Sequence, residues 1–170
     1  MNIERVILGT GSYVTVQSGN KVSISGDGGL SACYVGASYK KLAPRLITYD
    51  SYHQKYQELL KLRKNTLEYN LFRQKIEDEY IQSYYETRLK NLDVYALLDT
   101  LFNRFGEDII LLCYESVEEF CHRRLLADYL ELKTGIYLPE VSIDENGKVK
   151  KLVPIRYKKR LEEVMKNSSF

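Results

Sequence analysis

The sequence predicts a single α/β domain: a small, mainly parallel sheet flanked by helices, with a C-terminal β-hairpin and helix added to it. Three observations carry that expectation. Ile109-Ile110-Leu111-Leu112, leading into Cys113-Tyr114-Glu115, is an apolar run too short for a free-standing helix, and it reads as a strand buried on both faces. After a short acidic loop at 116–119, apolar residues recur at Leu125, Leu126, Tyr129, Leu130 and Leu132, which is helical spacing. A helix opened by Asp93 and stopped by Gly106 runs into the same strand, and a helix feeding a buried strand implies a crossover and parallel pairing. At 170 residues, 44% hydrophobic and 28% charged, the chain is long enough to bury one core.

Arg5-Val6-Ile7-Leu8 reads as a first strand, ending in a glycine loop, Gly9-Thr10-Gly11-Ser12. That loop lacks the third glycine of a dinucleotide fingerprint, and it reads as a plain turn before it reads as a close approach for a ligand. Tyr13 to Val16 and Lys21 to Ser25, around Ser18-Gly19-Asn20, have the local chemistry of a hairpin. A second glycine loop, Ser25-Gly26-Asp27-Gly28-Gly29, follows, and then an aromatic and basic stretch from Tyr34 to Pro44. Residues 50–64 and 66–90 lack glycine and proline and read as two helices, the second capped at Asn65 or Thr66. Gly135 ends the helix after the central strand. Ile136-Tyr137-Leu138 reads as a short strand, Val141–Asp144 and Lys148–Lys150 as a hairpin around Asn146-Gly147, and Arg156 to Lys166 as a basic helix. The expected division is 1–138 for the main unit, with 139–170 packed onto it.

A net charge of +2 is too small to announce a nucleic-acid or membrane-surface protein. No run approaches the ~20 apolar residues of a membrane span, and no signal-peptide pattern opens the chain, so no membrane association is expected. Three cysteines without close pairing fit a reducing, cytoplasmic setting. The fifteen tyrosines serve either base stacking or half-buried helix faces.

The reactive side chains collect at the central strand's end and in the next helix's first turn. Arg123 and Arg124 there offer an anion site, since guanidinium forks match phosphate oxygens and a helix start presents free N–H groups. Cations at that end are locally unfavourable, so a bound anion or the acidic group Glu115/Glu118/Glu119 must compensate. Cys121 beside His122 and Arg123 is placed where a thiolate is stabilised; the alternative is a structural thiol in a packing layer. Glu115 is a candidate general acid or base, or else a partner for one of the arginines. Metal binding by Cys113, Cys121 and His122 is not expected, because paired C-x-x-C spacing is absent and adjacent Cys-His residues rarely ligate one ion. His53 reads as surface, and no hydrolase triad is present.

Leu111-Leu112-Cys113-Tyr114-Glu115 and Phe120-Cys121-His122-Arg123 resemble the C-Y-E and F-C-H-R signature of domain-of-unknown-function family 488. Ser12-Tyr13, Ser23-Ile24-Ser25, and Tyr34-x-Gly36 with Tyr39-Lys40-Lys41-Leu42-Ala43-Pro44 look similar to its other blocks. The resemblance implies an α/β fold in which the segments at Ser12, Ser25, Tyr39 and 121–123 converge. It also implies that Val22–Ser25 is an inner strand and residues 13–20 a looping excursion. The Gly-Asp-Gly-Gly run and the Gly-Thr-Gly strand end depart from its pattern. It implies no reaction. Residues and resemblance together lead us to expect a phosphate or anion pocket built from Arg123, Arg124, Lys40, Ser12 and Ser25, with Tyr34, Tyr39 or Tyr114 stacking on a base. Glu115, Cys121 and His122 would be the chemical groups, with no cofactor. The expected role is nucleotide- or nucleic-acid-linked, as a hydrolase or transferase at a phosphoester or N-glycosidic bond. The alternative is a non-catalytic binding or sensing module acting on a protein partner through residues 50–90.

Overall fold

The computed structural model describes residues 1–168. A short helix α1 (Ile3–Val6), capped by the Asn2 side chain on the Glu4 N–H, leads into strand β1 (Ile7–Ser12). The strand therefore starts later than Arg5 and runs through Gly9-Thr10-Gly11-Ser12, where a loop was expected. The reason is close packing. A Cβ on Gly9 would lie 2.5 Å from the Pro139 carbonyl oxygen, and one on Gly11 would lie 2.4 Å from Val16 Cγ2.

The remaining strands are β2 (Asn20–Ser23), β3 (Ala37–Ser38), β4 (Ile109–Cys113), β5 (Glu140–Ile143) and β6 (Val149–Leu152). They order as β3-β2-β4-β1-β5-β6, and every pair is parallel except the β5–β6 hairpin. β2 lies beside β4, so the hairpin suggested by local chemistry does not form, and residues 13–19 make the excursion instead. Val16 explains the outcome. It is 2% exposed, packed on Ile110, Leu112, Val141 and Ile143, and that burial outweighs a local turn preference. Ile136-Tyr137-Leu138 forms no strand. Its extended backbone is used by other groups, Leu138 O accepting from Arg124 and Pro139 O from the Thr10 N–H.

Helices α2 (Leu46–Leu59), α3 (Leu67–Tyr84), α4 (Val94–Phe105), α5 (His122–Thr134) and α6 (Lys158–Asn167) complete the chain. Local signals set most of their ends. Thr66 accepts from the Tyr69 N–H, Asp93 from the Ala96 N–H, and Gly106 and Gly135 take positive φ at 87° and 77°. α3 runs on into a π-helical turn at Tyr85–Leu89, a form of bulge that recurs near functional sites.

The two faces of the sheet are covered differently. Val22, Ile24, Ile109 and Leu111 pack on Ile81, Tyr84, Leu98, Leu101, Leu125 and Tyr129 from the helices. Ile110 and Leu112 turn the other way, under Val16, Tyr13 and Tyr34. β4 is buried on both faces, as its apolar run predicts. Among the described residues, no helix is long and apolar enough to cross a membrane.

Candidate functional site

At the carboxyl ends of β1, β2 and β4 the chain breaks off into loops, which in a parallel sheet is where ligands bind. β4 ends at Cys113, and the following loop reaches Cys121, the residue before α5. Cys121 is extended (φ −150°, ψ 140°) while His122 already belongs to the helix. That change of conformation between neighbours lets their side chains converge beside Cys113.

The thiols of Cys113 and Cys121 each donate to Glu115 Oε2, both at 3.1 Å. His122 Nδ1 lies 3.6 Å from Cys113 Sγ, and its Nε2 lies 2.8 Å from the Ile24 carbonyl oxygen. A carbonyl only accepts, so Nε2 carries a proton, and whenever the ring is neutral it is Nδ1, beside the Cys113 sulfur, that holds the lone pair. Cys113, Cys121 and His122 are buried, and Glu115 is partly buried. An aromatic wall adjoins them: Phe120 lies 5.4 Å from Tyr52 and 5.0 Å from Tyr80, and Tyr84 lies 5.8 Å from the His122 ring, centroid to centroid. Beyond Tyr52 and Tyr80 a cleft opens between α2 and α3, lined also by Thr48, Lys55, Glu79 and Ser83.

The charges settle on Glu115. Burial pushes its carboxyl upward, but the Cys121 hydrogen bond, the nearby His122 and the Cys113 hydrogen bond outweigh burial and hold it below its ordinary value. Burial, together with Cys113 and Glu115, pushes the Cys121 thiol well up. The His122 imidazole is drawn down by burial and more than restored by Cys121 and Glu115, for a net rise. The cluster thus favours a charged carboxylate at Glu115 and a proton on Cys121, with both thiols donating to Glu115. Cys121 is not the activated thiolate that its place at a helix start suggested, because burial beside a carboxylate opposes a second negative charge.

The arginines lie elsewhere. Arg123 is 1% exposed and pairs with Glu140 of β5, its Nε at 3.0 Å and Nη2 at 3.0 Å from Oε2. Its Nη1 lies 3.3 Å from Cys121 Sγ. Arg124, 2% exposed, donates from Nη1 to Thr10 Oγ1 and the Leu138 carbonyl. The compensating anion for Arg123 is therefore a carboxylate of the protein, while Nε and Nη2 of Arg124 are buried without a hydrogen-bond partner among the described residues. Ser12 is buried against Thr15. Tyr39 is a core residue, edge-on to Phe105 at 6.4 Å. Lys40 is exposed, beside Gly28.

Ser25, Tyr34 and Tyr114 do come together, on the sheet's other side and around Tyr13. Tyr13 stands 5.3 Å from Tyr34 and 4.8 Å from Tyr114, and its hydroxyl meets Ser23 and Ser25. Asp27 accepts from Tyr114 OH, Ser25 OH, the Gly29 N–H and the Ser31 N–H. Burial raises its carboxyl, but those hydrogen bonds, Tyr114 first, hold it far below its ordinary value. The glycine loop's donors are thus filled by the loop's own aspartate.

Sequence reasoning missed Asp27, Tyr13, Tyr52, Tyr80 and Glu140. Only Glu140 carried a signal: a lone carboxylate after Pro139 at the head of an apolar strand.

Taken together, the fold and this cluster define an α/β protein with a dithiol–carboxylate–imidazole site at the carboxyl edge of its parallel sheet. Residues 35–130, more than half of the chain, match the sequence model of the family described as "Domain of unknown function DUF488", and the chain belongs to that family. The match runs from just before β3 into α5 and contains Cys113, Glu115, Cys121 and His122; β1 and β2 lie outside it. No curated protein and no solved structure matches the chain.

Proposed function

We propose that the protein hydrolyses or transfers at the N-glycosidic bond of a nucleoside or nucleotide, with Glu115 as the reacting carboxylate. One observation carries this reading: a partly buried carboxylate, gripped by two buried thiols, at the carboxyl end of the central strand. Glu115 serves there as base toward a water, or as the negative charge facing a developing glycosyl cation.

Electrostatics favour the N-glycosidic over the phosphoester alternative. Burial first, and then Glu115 and Asp27, push the Tyr49 hydroxyl up, while Arg123 is paired with Glu140 and Arg124 is buried. A carboxylate in the position of Glu115 repels a transferring phosphoryl group and stabilises the oxocarbenium-like charge that builds up when a glycosidic bond breaks. Tyr49 offers an exposed ring for stacking a base, and Lys40 is an exposed cation able to meet a phosphate tail. The buried free thiols suit a reducing, cytoplasmic setting.

The test is chromatographic release of free base from a panel of nucleosides, nucleotides and short single strands. Wild type releases base, and Glu115→Gln loses on the order of 10²-fold or more in rate while keeping its fold. Phosphate release without base release would replace this reading with the phosphoester one.

A second reading, a protein-binding module, has its own observation. Leu46, Ile47, Leu60, Leu67 and Leu71 are exposed on α2, α3 and the turn between them. It gains if no substrate turns over and Leu67→Lys abolishes an association that Glu115→Gln leaves intact.

A further inference from the structure

We propose that Cys113, Cys121 and His122 bind a divalent cation of the zinc class, reversing the expectation drawn from their spacing alone. The three ligand atoms lie within 4.8 Å of one another, all on buried residues. For a tetrahedral ion with metal–sulfur and metal–nitrogen bonds of about 2.3 and 2.0–2.1 Å, sulfur and nitrogen sit about 3.6 Å apart. Cys113 Sγ and His122 Nδ1 are 3.6 Å apart. Sequence spacing argued against the set because Cys121 and His122 are adjacent. The extended-to-helical change between them removes that objection.

The surroundings are those of a metal-bound histidine. Nε2–H is tied to the Ile24 carbonyl, which fixes the tautomer and aims Nδ1 inward. Arg123 Nη1 at 3.3 Å from Cys121 Sγ offers a hydrogen bond to a coordinated sulfur, and Glu140 neutralises that arginine. Charge also balances. Binding releases two thiol protons to solvent as two metal–sulfur bonds form, so a dication with two thiolates and a neutral imidazole leaves the buried cluster with no net charge of its own.

The fourth position faces Glu115. Its Oε2 is 3.1 Å from each sulfur, closer than the roughly 3.6 Å between ligands around a tetrahedral ion, so an entering ion moves the carboxylate outward. A water taking the fourth position of the bound ion would hydrogen-bond Glu115. The binding stands on this geometry alone; that the ion activates this water for Glu115 rests on the function proposed above.

The experiment titrates reduced, chelator-treated full-length protein with Co²⁺. Wild type develops thiolate-to-cobalt charge-transfer absorption and the visible bands of a tetrahedral site, both abolished by added Zn²⁺. Cys113→Ser, Cys121→Ser and His122→Gln lose or weaken the bands, with circular dichroism checking their folds. Glu115→Gln keeps the bands, so the readout survives even where a cysteine variant fails to fold. Folded, reduced wild type that shows no bands and takes up no Zn²⁺ would overturn the proposal, as would cysteine variants that bind as well as wild type. Bands without base release contradict only the function, and base release without bands contradicts only the metal site.

Discussion

The two sides of the sheet's carboxyl edge hold similar materials, carboxylates and hydrogen donors under tyrosine rings, and use them in opposite ways. On the open side, Asp27 takes two backbone N–H groups and two hydroxyls, and Tyr13 joins Ser23 to Ser25. Every strong donor there has an acceptor. On the helix side, Glu115 takes two thiols, which are weak donors, and His122 Nδ1 faces sulfur. The first network is satisfied and holds the loops in place. The second is held together by the fold around it and keeps its reactive atoms underused, which is what chemistry requires.

The sharpest way to break the comparison is to attack what holds the reactive side in place. Glu140→Ala leaves Arg123 buried and unpaired, which costs about 3–5 kcal/mol in urea unfolding. Arg123→Met with Glu140→Leu recovers most of that loss; failure to recover would mean that the pair does more than anchor α5 to β5. Tyr84→Phe removes the hydroxyl that donates to the buried Leu42 carbonyl at 2.6 Å, and costs about 1–3 kcal/mol by the same assay.

On the satisfied side the effects are smaller. Tyr13→Phe leaves Ser23 and Ser25 able to bond each other at 3.1 Å, so the loss is about 0.5–1.5 kcal/mol, with base release unchanged. Asp27→Asn acts through pH. Its folded carboxyl titrates below the unfolded one, so it stabilises fully above the ordinary carboxylate value, and that contribution fades as pH falls through the folded value. Melting temperature recorded from about pH 6 to about pH 2 falls less steeply in Asp27→Asn than in wild type; parallel curves would remove Asp27 from the account.

What was legible in the sequence was local. Asp93, Thr66, Gly106 and Gly135 end helices by contacts within one turn, and the run at 109–112 needs only its own apolarity to be read as a buried strand. What was illegible depended on distant partners. Gly9-Thr10-Gly11 looks like a loop until Pro139 and Val16 are seen against it. Arg123 at a helix start reads as an anion site whether the anion is a ligand or Glu140, 17 residues on in another element. The convergence of Cys113, Glu115, Cys121 and His122 was readable because they flank one strand–helix junction. Its electrostatics were not, because the burial that keeps Cys121 protonated and the Ile24 carbonyl that sets His122 belong to the tertiary structure.

The central claim is that Glu115, held by two thiols, is the reacting group. The direct measurement is base release by wild type and by Glu115→Gln across the nucleoside and nucleotide panel, with both proteins matched for folding by circular dichroism. The account predicts release by wild type and a loss on the order of 10²-fold or more in the variant. A Glu115→Gln protein as active as wild type would contradict it.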